Sequence, residues 1–276
     1  MRQRVARFLI LVSLVSALAL PSPAARADEV ALGCESKVEV PIGDFTQPPN
    51  LDLAIARLKK ELLYYRGNGY EADIAKVLND ATAWVKARAP EVVMAGAAPA
   101  IVLDIDETSL SNWIRIYRDN FGYVRDGACD LGDNTKPCGD LAWQRSGKAP
   151  AIGPTRDLYK LARCIDVTFT CKPIDVFFIT GRRENGTPID GKTPRQWTRD
   201  NLIAAGYTDV ADDHLFLRGD VDKGVQDYKS TKRGEIETQL HMRIIANIGD
   251  QQSDLDGGHA ERPFKLPNPF YFIPAQ

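Results

Sequence analysis

Two aspartates one residue apart, Asp104 and Asp106, directly follow a short apolar run and are the residues best suited to chemistry. The run, Ala100 to Leu103, is typical of a short buried strand, which should not end in two carboxylates without a partner. A turn at the end of this strand would aim both carboxylates at one crevice above the sheet. We expect such a cluster to take a cation, a phosphate group, or both.

Three further polar clusters also follow apolar segments. They are Thr180-Gly181-Arg182, Lys229 after Asp227-Tyr228, and Asn247-Ile-Gly-Asp250-Gln-Gln-Ser-Asp254. Each is weak evidence alone, since Thr-Gly often marks a turn and a lone lysine is usually solvated. Loops at the carboxyl ends of parallel strands meet at one edge of the sheet, so the four clusters are predicted to come together. Their order along the chain favours a phosphate-handling enzyme.

The elements that must position these clusters follow from apolar spacing and from capping residues. Helices are predicted over Leu51–Arg66 and Tyr70–Arg88, separated by Gly67 and Gly69 and followed by a linker over residues 89–99. Downstream, the sequence predicts a helix over 154–164, a buried strand over 175–179, a helix from Thr193-Pro194 to Gly206, and short strands over 215–217, 244–248 and 270–273. This alternation predicts an α/β fold with a mostly parallel sheet.

A polar insertion of about residues 107–151 follows the first strand. It contains Trp113, Tyr117, Phe121, Tyr123 and Trp143. These rings could form a wall on which a nucleobase or an aromatic leaving group stacks, or a miniature core stapled by a disulfide. The insertion is short, so we expect an open site and broad phosphomonoesterase activity.

The first 27 residues have the pattern of a signal peptide. Arg2, Arg4 and Arg7 precede an apolar run from Phe8 to Leu20, and Ala25-Arg26-Ala27 is a cleavage motif. An uncleaved anchor is the alternative, but we expect a secreted or periplasmic mature chain that starts near Asp28. The formal net charge of −2 over 276 residues indicates no surface for a nucleic-acid polymer or an anionic membrane. We expect no stable membrane insertion.

All five cysteines lie in the predicted mature chain. In an oxidising compartment, the close pairs Cys129/Cys138 and Cys164/Cys171 are disulfide candidates. Cys34 is then left over. Ala31-Leu-Gly-Cys34 faintly resembles a lipoprotein cleavage site, but its leucine sits one place too late, so a lipid anchor at Cys34 is not favoured.

These motifs resemble the haloacid dehalogenase (HAD) superfamily, and most closely its secreted acid phosphatases of subfamily IIIB, which include bacterial class C enzymes and the plant vegetative-storage-protein type. The matching motifs are Ile101-Val-Leu-Asp-Ile-Asp-Glu-Thr108, Phe177-Phe-Ile-Thr-Gly-Arg182, Tyr228-Lys-Ser230 and Ile248-Gly-Asp-Gln-Gln-Ser-Asp254. The resemblance implies a Rossmann-like three-layer core over residues 100–276 with strand order 3-2-1-4-5. The helices within residues 28–99 and the insertion would form a smaller, mainly helical lobe.

The resemblance also implies a role for each motif. Asp104 would be the nucleophile that forms an aspartyl-phosphate, and Asp106 would protonate the leaving alcohol and then deprotonate water. Mg²⁺ would be held by Asp104, Asp250 and the backbone carbonyl of Asp106, with Asp254 completing or orienting the metal shell. Thr180, the Gly181 N–H and Lys229 would bind the phosphoryl oxygens of a small phosphomonoester, such as a nucleotide or an aromatic phosphate.

The predicted function is therefore a secreted, Mg²⁺-dependent acid phosphatase. A non-catalytic phosphate-binding or storage protein of the same fold is one alternative, although the intact Asp104 argues against it. Another HAD enzyme, such as a phosphomutase or a dehalogenase, is the second, and Asp106 argues against a dehalogenase. Arg182 and Arg183 could steer anions, and Asn112 could orient the loop after Asp106.

Overall fold

The computed structural model describes residues 51–165, 171–186, 188–219 and 224–273. The fold below belongs to the compact unit from Ala56 to Gln276, and its first helix begins a few residues earlier. The predicted signal peptide, residues 1–27, and Cys34 both lie outside the described residues.

Five parallel strands form one sheet. They are β1 (Ala98–Leu103), β2 (Asp175–Arg183), β3 (Leu215–Arg218), β4 (Met242–Gly249) and β5 (Pro263–Lys265). Their order is β3-β2-β1-β4-β5, which confirms the predicted 3-2-1-4-5 arrangement. The strand that leads into the two aspartates is therefore central, with β2 and β4 on either side.

Helices of the described residues pack on both faces of this sheet. They are α1 (Leu51–Asn68), α2 (Tyr70–Met94), α3 (Trp113–Arg118), α4 (Asp140–Ser146), α5 (Gly153–Ala162), α6 (Pro194–Ala204), α7 (Val225–Gln239) and α8 (Gln252–Leu255). Helix α6 begins as predicted, with a capping box between Thr193 and Gln196 and a proline in its first turn. Gly206, at φ +100°, follows the end of this helix.

Alternation along β1 separates two hydrophobic cores. Ile101 and Leu103 lie in the core that also contains buried residues of α2 and α5, whereas Ala100 and Val102 lie in the core that contains Ile236 of α7. The sheet is thus sandwiched between helices, which is the predicted three-layer α/β architecture.

Two expectations about secondary structure are wrong. Helix α2 continues through Pro90 to Met94, where a linker was expected, because Ala89 and Val92 keep its apolar face buried. The described residues 270–273 form no strand, and the last strand is β5 instead. Phe270 is buried by contacts with other rings and not by strand pairing, since its ring centroid lies 5.0 Å from those of both Tyr70 and Trp113.

The insertion carries α3, α4 and the disulfide Cys129–Cys138, and Cys164–Cys171 forms the second predicted disulfide. Trp143 of α4 is completely buried, whereas Tyr123 is exposed. The buried Trp143 agrees with the interpretation of a small core, whereas the stacking of a ligand on the exposed rings stays a prediction. Within the described residues, no helix is long and apolar enough to cross a membrane.

Candidate active site

Three buried carboxylates meet at the carboxyl edge of the sheet. Asp104 follows β1, Asp250 follows the neighbouring strand β4, and Asp254 lies in α8. Each offers an oxygen within 4.8 Å of the others, and all three side chains are buried. The structure thus brings together three of the residues that the sequence singles out, because adjacent parallel strands end at the same edge.

Lys229 lies within this carboxylate cluster, but in the second turn of α7 and not in a loop. Its Nζ donates hydrogen bonds to Asp104 Oδ1 and to Asp254 Oδ1, the latter at 2.6 Å. Burial alone would lower the pKa of Lys229, but the charges of Asp104 and Asp254 outweigh burial and raise it. Lys229 is therefore held as a cation.

One lysine does not offset three carboxylates. Burial raises the pKa of Asp104 well above its ordinary value despite Lys229, and the charges of Asp254 and Asp250 add to the rise. Burial and the charge of Asp254 raise the pKa of Asp250 to about 7. The protein part of this site is therefore short of positive charge.

Neutral donors fix the carboxylate of Asp250. Gln251 Nε2 donates to its Oδ2 at 2.6 Å and Asn268 Nδ2 donates to the same oxygen at 2.8 Å. Thr108 Oγ1 donates to Oδ1 at 3.1 Å. Amide and hydroxyl groups orient the carboxylate without neutralising its charge, so it stays available to a cation.

The segment from Asp254 in α8 to Gly258 is held by a buried arginine that the sequence analysis missed. Arg233 Nη1 donates to the Asp254 carbonyl at 2.7 Å, Nε donates to the Gly258 carbonyl at 2.9 Å, and Nη2 donates to the Asp256 carbonyl. Arg233 follows Lys229 by four residues on α7, and this spacing was the available signal for a shared face. Gly249 is required here, because a Cβ atom would lie 2.3 Å from that of Asp254.

Asp106 has different partners. Its carboxylate is held by the buried Arg182, with Nη2 donating to Oδ1 at 2.6 Å and Nε donating to Oδ2 at 2.9 Å. Asn112 Nδ2 also donates to Oδ1, at 2.8 Å. Burial alone would raise the pKa of Asp106, but the charge and hydrogen bonds of Arg182, with help from Asn112, lower it. The Asp106 carboxylate is not one of the three clustered carboxylates, and ligation through its backbone carbonyl stays a prediction.

Thr180 and Gly181 lie near the end of β2, two and three residues beyond Phe178, which is paired with Leu103 of β1. Thr180 is buried, and its Oγ1 accepts a hydrogen bond from the Arg182 N–H at 3.1 Å. Gly181 lines an open cleft with a volume of about 810 Å³ that also reaches Asp106. Both residues thus lie at the carboxyl edge of the sheet, as predicted.

The cleft has aromatic and basic walls. Aromatic residues on its lining are Phe121, Tyr123, Trp197, Phe270, Tyr271 and Phe272. Arginines on its lining are Arg115, Arg125, Arg182 and Arg183. A cleft with flat apolar surfaces and cationic groups can hold an anionic ligand that carries a ring.

A parallel α/β sheet with buried carboxylates at its carboxyl edge agrees with the resemblance to HAD phosphatases. The model of the family described as HAD superfamily, subfamily IIIB (Acid phosphatase) matches residues 47–274. The chain belongs to this family.

Individual relatives support the same placement. Acid phosphatase 1 of Solanum lycopersicum is 33% identical over 214 residues, which cover 76% of this chain and 72% of the relative. Vegetative storage protein 1 of Arabidopsis thaliana is 31% identical over 176 residues, or 63% of this chain and 55% of the relative. The class C acid phosphatase from Bacillus anthracis has the same fold, with a TM-score of 0.54 at 22% identity over 78% of this chain and 86% of that one.

Proposed function

We propose that this protein is an exported, Mg²⁺-dependent acid phosphatase that hydrolyses phosphate monoesters through an aspartyl-phosphate on Asp104. The observation that carries the proposal is the separation of two carboxylate environments one residue apart. Asp104 belongs to a buried, cation-poor cluster with Lys229, whereas Asp106 lines the cleft beside Arg182. A cation bound in the cluster would keep Asp104 ionised, as a nucleophile must be, and the cleft gives Asp106 access to the leaving oxygen. Arg182 favours the carboxylate form of Asp106, so Asp106 can donate a proton only at low pH, as expected of an acid phosphatase.

The donor set of the cluster fits a hard divalent cation. Asp104, Asp250 and Asp254 offer carboxylate oxygens close to one another, and the pKa values of the first two are raised by burial and mutual repulsion. Mg²⁺ prefers oxygen ligands of this kind, and we propose that these residues hold it, together with the backbone carbonyl of Asp106. A bound Mg²⁺ would reduce the repulsion between the nucleophile and the phosphoryl group.

In the first step, an oxygen of Asp104 forms a bond to phosphorus while the bond between phosphorus and the ester oxygen breaks. The leaving oxygen takes a proton from Asp106, and the phosphoryl group remains on Asp104. Lys229 orients the nucleophile through its hydrogen bond to Oδ1. Thr180, the Gly181 N–H and Lys229 would bind the phosphoryl oxygens as negative charge builds on them.

In the second step, water attacks phosphorus and the bond from phosphorus to Asp104 breaks. Asp106, now a carboxylate, takes the proton from this water, and inorganic phosphate leaves. The protein returns to its starting protonation state, so no other reactant is needed.

The cleft supports a small phosphomonoester with a flat leaving group. Its aromatic walls suit a nucleobase or an aryl group, and Arg125 and Arg183 on its lining suit an anionic substrate, since Arg115 and Arg182 already pair with carboxylates. Because the cleft is open, we propose a broad range of substrates of this class.

Export is the second part of the proposal. Two disulfides within the described residues are typical of oxidising compartments. We propose cleavage after Ala27, and the N-terminal sequence of the protein recovered outside the cytoplasm would test this. A mature chain that still begins at Met1 would contradict it.

A storage or phosphate-binding protein is the second candidate function, because one relative is a vegetative storage protein. Turnover separates the two candidates. We expect the mature protein to hydrolyse p-nitrophenyl phosphate between pH 4 and 8 with Mg²⁺ but not with EDTA, and Asp104→Asn to abolish this turnover.

Asp80 lies exposed on α2, where it pairs with Arg262, and it provides a matched control. Asp80→Asn should retain full activity. If the wild-type protein turns over none of the substrate under any of these conditions, the phosphatase proposal is wrong and the storage function is favoured.

A further inference from the structure

The side-chain amide of Asn112 sits at a buried junction next to Asp106. Its Nδ2 donates to Asp106 Oδ1 at 2.8 Å and to Glu107 Oε2 at 2.9 Å. Its Oδ1 accepts a hydrogen bond from Trp143 Nε1 at 2.7 Å. Both Asn112 and Trp143 are buried, so each polar atom of this amide is matched inside the protein.

Trp143 decides which way this amide points. An indole N–H is a donor and never an acceptor, so it must face the oxygen of the amide and not its nitrogen. The nitrogen is thereby directed at the two carboxylates. A flipped amide would place its oxygen against carboxylate oxygens and its nitrogen against the indole N–H, which would lose all three bonds.

Asn112 increases the difference between the two oxygens of Asp106. Oδ1 accepts from Asn112, from Arg182 Nη2 and, at 3.2 Å, from Arg182 Nε, whereas Oδ2 accepts from Arg182 Nε at 2.9 Å. Among the described residues, Oδ2 has fewer donors and is the oxygen with room to carry and deliver a proton. The amide therefore acts together with Arg182 to fix the rotation of the carboxyl group relative to the cleft.

Glu107 holds Asn112 in this position. It accepts from the backbone N–H of Asn112 through Oε1 at 2.5 Å, and its Oε2 also accepts from Tyr271 Oη at 3.0 Å. Glu107 adopts the left-handed backbone conformation, with φ at 54°, which is strained for a residue other than glycine. These hydrogen bonds help to maintain that conformation.

We propose that Asn112 and Trp143 are positioning residues for leaving-group protonation. Trp143, which the insertion supplies, orients the Asn112 amide, and Asn112 turns Asp106 so that Oδ2 faces the leaving group. The inference rests on the proposed role of Asp106 as proton donor. It gives the insertion a part in the chemistry in addition to its part in forming the cleft.

The test compares two esters that differ in their need for a proton. Glycerol phosphate has a poor leaving group that must be protonated, whereas p-nitrophenolate leaves readily without help. We expect Trp143→Phe to lower kcat/KM for glycerol phosphate by about 10-fold and kcat/KM for p-nitrophenyl phosphate by less than about 2-fold, because only a part of the acid contribution is lost. The comparison uses kcat/KM because this constant reports the first step, in which the leaving group departs, whereas the second step is the same for both esters.

Trp84→Phe is the matched control. Trp84 Nε1 also donates a hydrogen bond inside the protein, to the Ile245 carbonyl at 2.8 Å, but it lies on α2 and outside the cleft lining. This variant should change neither rate constant. Equal losses on both esters for Trp143→Phe would indicate a merely structural role and overturn the proposal, and so would unchanged rates.

Asp106→Asn separates failure of this inference from failure of the proposed function. Its kcat/KM should fall far more for glycerol phosphate than for p-nitrophenyl phosphate, by about 10²-fold or more, whereas its kcat can fall for both esters because Asp106 also serves the second step. If it does not discriminate between the esters, Asp106 is not the proton donor and both proposals fall. If it discriminates and Trp143→Phe does not, this inference alone is wrong.

Should Trp143→Phe fail to fold, Asn112→Ser must show the same discrimination, and equal losses on both esters would again overturn the proposal.

Discussion

Asp104 and Asp106 show how one short motif can provide two kinds of carboxylate. Asp104 lies among other acids, so burial and repulsion raise its pKa, while Arg182 outweighs burial and lowers the pKa of Asp106. The difference comes from the turn after β1, which sends successive carboxylates to separate surroundings. In the free protein, Asp106 is therefore the more readily ionised of the two, and low pH is needed to protonate it.

Arg182 should set the alkaline limit of activity. Replacing it by glutamine removes the cation that favours the Asp106 carboxylate, so the pKa of Asp106 should rise and the proton donor should stay protonated at higher pH. We expect the alkaline limb of kcat/KM to move to higher pH in Arg182→Gln, measured on glycerol phosphate from pH 4 to 9. Arg182→Lys retains the charge and should move this limb less. A limb that stays in place, or moves to lower pH, would contradict the assignment of Asp106 as the titrating acid.

At the scale of elements, α7 positions Asp254 through contacts with α8 and with the residues that follow it. Arg233 donates to the carbonyls of Asp254, Asp256 and Gly258, and Asn247 Nδ2 donates to the Asp254 carbonyl at 2.9 Å. Because Lys229 is on the same helix, α7 fixes both the cation and the third carboxylate of the cluster. A shift of α7 along its axis would therefore change both together.

Arg233→Lys should weaken metal binding without removing a ligand. A lysine ammonium lacks the planar, forked set of donors with which Arg233 binds three carbonyls at once. The segment from Asp254 to Gly258 should therefore be held less firmly. We expect Mg²⁺ affinity to fall by about 10- to 100-fold, the usual cost of losing a group that supports a ligand, measured by isothermal titration calorimetry. Lys232→Arg, one residue away on α7, is the control and should bind Mg²⁺ normally. Unchanged affinity in Arg233→Lys would show that the segment from Asp254 to Gly258 keeps its position without the hydrogen bonds of Arg233.

The sequence predicted those elements and site residues whose placement depends on local pattern. The apolar runs of β1, β2 and β4 are long enough to be recognised, and the strand-end rule places Asp104, Thr180 and Asp250 at one edge. The position of Lys229 on a helix, and the pairing of Arg182 with Asp106, were not predictable. Both depend on where long side chains reach across elements, which sequence spacing does not encode. The strand predicted at residues 270–273 is wrong for the same reason: the apolar Phe270 is buried against rings of other elements and not within the sheet.

At the scale of the whole molecule, the acid cluster couples folding to protons and to metal. The folded-state pKa values of Asp250 and Glu107 are raised to about 7, mainly by burial, and that of Asp104 is raised as well. An unfolded carboxyl group titrates near pH 4. Where the folded pKa is the higher one, the stabilising contribution is fully present below the unfolded value and is lost as pH rises through the folded value. Carboxyl groups whose pKa is lowered by folding, such as that of Asp106, change the stability only at pH values below about 4.

Metal-free protein should therefore be most stable on the acidic side, and metal should reverse this trend. In EDTA, we expect the Tm, followed by circular dichroism, to fall by several degrees between pH 5 and 7.5, since about 1 kcal/mol shifts the Tm of a protein of this size by roughly 2–4 °C. Mg²⁺ in excess should raise the Tm more at pH 7.5 than at pH 5, because it binds the ionised carboxylates and must compete with protons at the lower pH. Asp250→Asn removes one of these acids and should flatten the slope in EDTA, whereas Asp80→Asn on the surface should leave it unchanged. A Tm that rises with pH in EDTA would show that the cluster does not govern the stability of the metal-free fold.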